Sequence, residues 1–286
     1  MASLREIKLR IRTIKSTQKI TKAMEMVAAS KMRRAQTQAL RGRAYMNKLT
    51  EMIARLAYYS QPSLTHPFLT QKSELKNVTY ILLTSNRGLC GAYNTNVIRS
   101  MLELLAEKNE TEELVITVGS KGRQAMERIG KRLLADFEKI SDHPSYVDTL
   151  GISQIIMDDF LSNRVQQVFL VYNHFYSTLL QKPVVKKLLP VEPDRDIAQG
   201  LQPLEYIFEQ DRSMLLDEVL KKYIETSVYQ TILESLAAEQ SARMMAMRQA
   251  SDNASEIVEN LTLHYNKARQ SKITTQILEV VSGSKR

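Results

Sequence analysis

The placement of proline and glycine constrains this 286-residue chain more than any other feature. All seven prolines lie between Pro62 and Pro203, and seven of the nine glycines lie between Gly88 and Gly200, which leaves only Gly42 and Gly283 outside. Proline removes an amide donor and clashes inside a helix, and glycine weakens a helix by roughly 1 kcal/mol relative to alanine. The two ends are therefore free to form long helices, and the middle is not. The chain reads as arm, domain, arm, with boundaries at 1–60, 61–207 and 208–286.

The first arm opens with Ser3-Leu4-Arg5-Glu6, a capping box in which Ser3 and Glu6 satisfy each other's free amides. Leu4, Ile7, Ile11 and Ile14 follow at spacings of 3, 4 and 3, a heptad seam. Gln18, Thr21, Ala28 and Ala29 soften it, and Leu49, Met52, Ile53 and Leu56 carry one face on towards Tyr58. The second arm is expected to start from a cap on Asp211 or Ser213 and to stop at Gly283. Its seam is read as Met247, Ala250, Ala254, Ile257, Leu261, His264 and Ala268. At 1.5 Å per residue the arms are about 80 Å and about 105 Å long. Both join one domain, so an antiparallel coiled coil is expected, with the second helix outrunning the first by roughly 25–30 Å. A lone helix with apolar positions implies a binding partner.

The middle alternates short apolar runs with helical stretches. Strands are expected at Val78–Thr84, Leu114–Val118, Leu133–Phe137, Val165–His174 and Pro183–Leu189. Helices are expected from about Asn94, over Lys121–Lys131 and over Val147–Ser162. Alternation of this kind builds βαβ units. The fold class is α/β: a long antiparallel coiled coil of terminal helices plus a Rossmann-like central domain with a mostly parallel sheet.

Charge and motifs narrow the function. The net charge of +9 is not spread along the chain: the first 55 residues hold six Lys and eight Arg against three Glu, a net +11. A basic arm either meets an acidic partner or presents a solvated face. Cys90 is the single cysteine, so there is no internal disulfide and no CxxC site; the four histidines show no metal-binding spacing. The N-terminus lacks a signal-like apolar stretch, and no apolar run approaches the roughly 20 residues of a spanning helix. Ser85-Asn-Arg-Gly-Leu-Cys-Gly-Ala-Tyr-Asn94 follows a strand, but Gly88-x-x-Gly91 is not GxGxxG, and Gly119-Ser-Lys-Gly122 is too short for a P-loop. Both read as tight strand-to-helix turns, so no cofactor is expected. Cys90 reads as a small buried hydrophobe. Asp158 and Asp159 are neighbours on a helix and do not share a face. Thirteen methionines suit a core or a surface that adapts to changing neighbours.

Three stretches resemble a known family. Ile20-Thr-Lys-Ala-Met-Glu-Met-Val-Ala-Ala-Ser-Lys-Met32 is similar to the N-terminal signature of the F-type ATP synthase gamma subunits. Ala242-Arg-Met-Met-Ala-Met247, Ala250-Ser-Asp-Asn-Ala254, Tyr265-Asn-Lys-Ala-Arg-Gln270 and Glu279-Val-Val-Ser-Gly283 resemble their C-terminal signature. The central SNRGLCGAYN resembles their S-D-R-G-L-C-G loop, with Asn86 where Asp is common.

The resemblance implies a rotor shaft with no catalytic, cofactor or metal site of its own. Its partners would be three alpha and three beta subunits forming the catalytic hexamer, the epsilon subunit and the c-subunit ring. Proton flow through the ring would turn the shaft, and ATP chemistry would lie on beta. By match, Lys22, Met24, Lys31, Arg33 and Arg34 would face an acidic beta lever. Arg269, Gln270 and Thr274 would touch beta loops nearer the tip, and Ile277 to Val281 would sit in the apolar bearing. The foot, near Glu205–Lys222, would meet epsilon and the ring. A peripheral place on the cytoplasmic face of a bacterial membrane is implied, and thiol control is not. The alternative is a basic coiled-coil nucleic-acid-binding or scaffold protein. Against it, Tyr45 is the only aromatic residue before Tyr58 and gives no stacking platform.

Overall fold

The computed structural model describes residues 4–59, 66–72, 74–107, 112–193 and 212–283. The chain divides into two compact units, one formed by Met1–Ala29 with Arg243–Arg286 and the other by Ser30–Ala242. The elements are α1 (Leu4–Tyr59), β1 (Asn77–Leu83), α2 (Tyr93–Glu107), β2 (Glu112–Val118), α3 (Ser120–Arg128), β3 (Leu133–Phe137), α4 (Val147–Leu161), β4 (Gln167–Phe175), β5 (Gln181–Leu189) and α5 (Arg212–Gly283).

In the larger unit the five strands form one sheet in the order β3-β2-β1-β4-β5. The pairs β2–β3, β1–β2 and β1–β4 are parallel, and β4–β5 is antiparallel. The sheet is largely parallel because α2, α3 and α4 provide crossovers, whereas a short turn joins β4 to β5 and forces reversal. Both faces are apolar. Val78, Tyr80 and Leu82 of β1 point into a core with Val97 and Met101 of α2 and Met126 of α3. Ile81 and Leu83 point the other way, into a core with Ile152, Ile156 and Phe160 of α4. Leu49, Ile53 and Leu56 of α1 join this second core, as do Leu220, Ile224 and Val228 of α5. A strand buried on both faces reads as a continuous apolar run, which is why β1 was visible in the sequence.

Within this unit α1 and α5 run antiparallel. Ser227 Oγ donates to Met46 Sδ at 3.8 Å, and Gln230 Nε2 donates to the Ala39 carbonyl at 2.8 Å. As the α5 numbers rise, the α1 numbers fall. In the smaller unit Gln18 Nε2 donates to Ser255 Oγ at 2.6 Å.

Several expectations are corrected. On α1 the covered positions step by 3 and 4 from Leu4 to Leu56 and pass through Gln18, Thr21, Glu25, Ala28, Met32, Ala35 and Ala39. Met52 is 41% exposed and lies off this stripe, one position before Ile53. On α5 the seam passes through Ser251, Val258 and Tyr265; Ile257 and His264 are exposed, and Ala250 is only half-buried. The fixed points Met247, Ala254, Leu261 and Ala268 are covered to differing degrees, as expected. Each heptad takes its step of 4 before its step of 3, an order that spacing alone does not fix. Ser213 lies inside α5, and Gly283 is its last described residue. Ser3 and Asp211 lie outside the described residues. Helix α3 ends at Arg128 rather than Lys131, because Gly130 turns at φ 72° and the Lys131 amide returns to the Met126 carbonyl at 3.1 Å.

Candidate partner-contact surface

In the smaller unit, cover along α5 stops at a definite point. Leu4 lies fourteen residues before Gln18, so an antiparallel partner of Gln18–Ser255 brings Leu4 opposite position 269. The last covered position on α5 is Ala268, and every residue from Ser271 to Val280 is exposed. Ile273, Ile277, Leu278 and Val280 are 47%, 57%, 63% and 73% exposed. A single helix bearing this much apolar surface offers a face for another protein.

The expected contact residues divide between the two units. Arg269 and Gln270 are exposed where cover ends, and the Thr274 hydroxyl returns to the Gln270 carbonyl at 3.0 Å. Ile277 is on the bare stretch, and the Val281 side chain lies outside the described residues. Lys22 pairs with Glu25 at 2.9 Å with 57% of its side chain exposed, and Met24 is half-buried beside it. A pair this open contributes at most about 1 kcal/mol and exchanges its partner readily. In the larger unit Arg33 and Arg34 are exposed. Lys31 differs: its ammonium lies 2.5 Å from the Asp142 carboxylate, with 29% of its side chain exposed. Asp142 was not singled out in the sequence, and only the fold brings the 138–146 loop to α1.

Several groups in the loops after β1 and β2 bond within the chain. The Ser85 amide donates to Asn94 Oδ1 at 3.0 Å, and the Ser85 hydroxyl donates to the Arg87 carbonyl at 2.7 Å. The Ser120 amide goes to Asn86 Oδ1 at 2.9 Å, and the Lys121 amide to the Ser85 carbonyl at 3.2 Å. A phosphate cradle needs such amides free. At Gly119, with φ 102°, a Cβ would stand 2.2 Å from the Thr84 carbonyl oxygen, so glycine is there for close backbone approach. Cys90 is buried against Tyr93 and Ala238. Asp159 is buried and pairs with Arg164 at 3.1 Å while Asp158 is exposed, so the two carboxylates share no site. Among the described residues no group of His, Cys, Asp and Glu is placed to hold a metal, and no helix is long and apolar enough to cross a membrane.

Comparison with known proteins identifies the family. The family model described as ATP synthase matches residues 3–285. The ATP synthase gamma chain of Dehalococcoides mccartyi is 46% identical over 285 residues, 99% of each chain. Those of Desulfitobacterium hafniense and Coxiella burnetii are 44% and 40% identical, also over 99% of each chain. A chain of the Tetrahymena thermophila mitochondrial ATP synthase central stalk and c-ring structure superposes with a TM-score of 0.61 at 26% identity, over 81% of this chain and 99% of that one. A chain of the Euglena gracilis mitochondrial ATP synthase shares the fold with a TM-score of 0.67 at 22% identity, over 98% and 92%. With its whole length matched and its α/β sheet and long terminal helices shared, this chain belongs to the ATP synthase gamma chain family.

Proposed function

We propose that this chain is the central rotor shaft of a proton-translocating ATP synthase and couples proton flow through a membrane ring to ATP synthesis or hydrolysis on a surrounding hexamer. The observation that carries this reading is the bare end of α5. Ten consecutive residues, Ser271 to Val280, are exposed beyond the last covered position, and several are large and apolar. Only a surrounding partner removes that surface from water. In this reading catalysis lies elsewhere, on the beta subunits.

In this reading three alpha and three beta subunits surround the helical pair. Lys22, Met24, Lys31, Arg33 and Arg34 meet acidic beta loops, and Arg269, Gln270 and Thr274 meet loops nearer the tip. Ile277 and Val281 sit in an apolar bearing. Epsilon and the c ring take the foot, and the complex holds the chain at the cytoplasmic face of a bacterial membrane as a peripheral subunit. The segments 1–60, 61–207 and 208–286 then serve as shaft, hub and shaft. The test is reconstitution with purified alpha and beta subunits and the membrane sector. The chain should enter the complex at one copy per hexamer and be required for ATP-driven proton pumping. Pumping at full rate without it would remove this reading.

A further inference from the structure

One face of α5 is fixed to the end of the central sheet by directional polar bonds rather than by apolar packing alone. The Tyr93 hydroxyl donates to the Ser235 carbonyl at 3.1 Å and shares a hydrogen bond of 2.7 Å with the Ser235 hydroxyl. Tyr93 is 4% exposed and Ser235 is 5% exposed. Asn173 of β4, 1% exposed, donates through Nδ2 to the Tyr93 carbonyl at 2.9 Å. Its neighbour His174 faces Glu234 with Nδ1 and Oε2 3.0 Å apart. One turn on, Ala238 packs on Cys90 and Tyr93, and the Ser241 hydroxyl donates to the Thr178 carbonyl at 2.9 Å in the turn between β4 and β5. Glu234, Ala238 and Ser241 stand at i, i+4 and i+7, one face of the helix.

Tyr93, Ser235, Asn173 and Ser241 are buried, while His174 and Glu234 are half-buried and Thr178 is exposed. Burial pushes the Tyr172 phenol up, with Glu234 adding to the effect. Burial pushes the Lys186 ammonium down, and Glu234 only partly opposes this. Apolar contacts are non-directional and allow a helix to roll on its neighbour. Hydrogen bonds prefer narrow geometry, and a buried donor that loses its acceptor finds no water in exchange. Rolling α5 would break the Tyr93, Glu234 and Ser241 bonds together. The sequence gives no warning of this joint, because Tyr93 and Ser235 are 142 residues apart.

We propose that Tyr93–Ser235, with Asn173, His174–Glu234 and Ser241–Thr178, is the torque-bearing joint that locks the angle of α5 against the central sheet. This rests on the shaft reading above. These are positioning residues: they touch no substrate and act by keeping the helix from rolling when the load is applied.

The test uses the whole reconstituted complex. With the hexamer immobilised and stalled, the angular fluctuation of a probe on the central domain reports torsional stiffness. Tyr93→Phe removes both hydroxyl bonds and keeps the ring, Glu234→Gln removes the charge, and Val97→Ala weakens the opposite face of the sheet as a control. Tyr93→Phe and Glu234→Gln should widen the angular spread and lower the number of protons pumped per ATP against a gradient. Val97→Ala should do neither, even where its melting temperature falls as far. Equal spread in wild type and both joint variants overturns the proposal, as does equal widening by Val97→Ala. If Tyr93→Phe does not assemble, Glu234→Gln and Ser241→Ala decide by the same two measurements. A wild-type chain that fails to rotate in the hexamer sinks the shaft reading instead, so the two failures are distinguishable.

Discussion

Gly42 lies against Gln230: a methyl group built on Gly42 would stand 2.5 Å from Gln230 Oε1, while Gln230 Nε2 donates to the Ala39 carbonyl at 2.8 Å. Gly42 is the only glycine in α1, and it is kept at a cost in helix propensity because a partner side chain fills the space. Gly42→Ala should gain about 1 kcal/mol of propensity. It should lose about 1–3 kcal/mol by displacing a buried amide from its bond. The single variant is therefore expected to be no more stable than wild type. In a Gln230→Ala background the same change should stabilise by about 1 kcal/mol. Denaturant unfolding of the four chains checks this double-mutant cycle, and an equal effect in both backgrounds would remove the contact from the account.

Asn86 bridges two loops in a way an aspartate would not. Its Oδ1 accepts from the Ser120 amide at 2.9 Å, and its Nδ2 donates to the Glu138 carbonyl at 2.9 Å. Asn86→Asp keeps the first bond and sets an anionic oxygen against the second carbonyl. We expect a loss of about 1 kcal/mol, the net worth of one hydrogen bond, read as a lower unfolding midpoint at pH 7. A midpoint equal to wild type would show that the Glu138 bond contributes nothing.

His66 makes stability depend on pH. Its side chain is 12% exposed, its ring lies 5.3 Å from that of Phe68, and Nε2 is 3.3 Å from Asp217 Oδ1. Burial pushes the imidazole below its ordinary value, and the bond to Asp217 only partly offsets this. The folded chain thus binds the His66 proton less readily than the unfolded chain. The contribution to stability is present above about pH 6.5 and is lost as pH falls through the depressed folded value. Between pH 7.5 and 5.5 the melting temperature of wild type should fall more than that of His66→Gln. Parallel curves would mean that the ring is not held neutral by the fold.

The sequence revealed most of the secondary structure and little of the wiring. The central strands β1 and β4 were legible because both faces of the sheet are covered there, so each carries an apolar run rather than an alternation. The arms were legible because breakers are nearly absent from them. The α5 seam was misread at Ala250, Ile257 and His264 because a step of 3 or 4 within each heptad leaves two candidate positions. At 257 and 258 both are apolar and offer no contrast. Lys31 is expected to face a partner, and its pairing with Asp142 was not legible because the two residues are far apart in the sequence. Gly130 could have ended α3 correctly, since glycine just past a helix is a stop signal. The bare end of α5 was expected from arm length, and Ala268 now gives its starting point.

That starting point makes the last prediction sharp. Deleting Arg269–Arg286 removes the last fifteen residues of α5, about 22 Å of helix at 1.5 Å per residue. Residues from Arg269 to Val280 are exposed, and the Thr274 and Thr275 hydroxyls bond to carbonyls of the same helix. The deletion should therefore leave the unfolding midpoint of the isolated chain unchanged while it weakens assembly or loosens coupling of pumping to hydrolysis. The shorter deletion, Ser282–Arg286, should leave both hydrolysis and midpoint intact. Calorimetry on the free chains and pumping-to-hydrolysis ratios on the complexes separate the two roles. If the longer deletion lowers the midpoint by several degrees, the end of α5 packs within its own chain and is not a free contact surface. If the midpoint holds and coupling falls, the apolar residues beyond Ala268 act only on a partner, because their removal costs the free chain nothing.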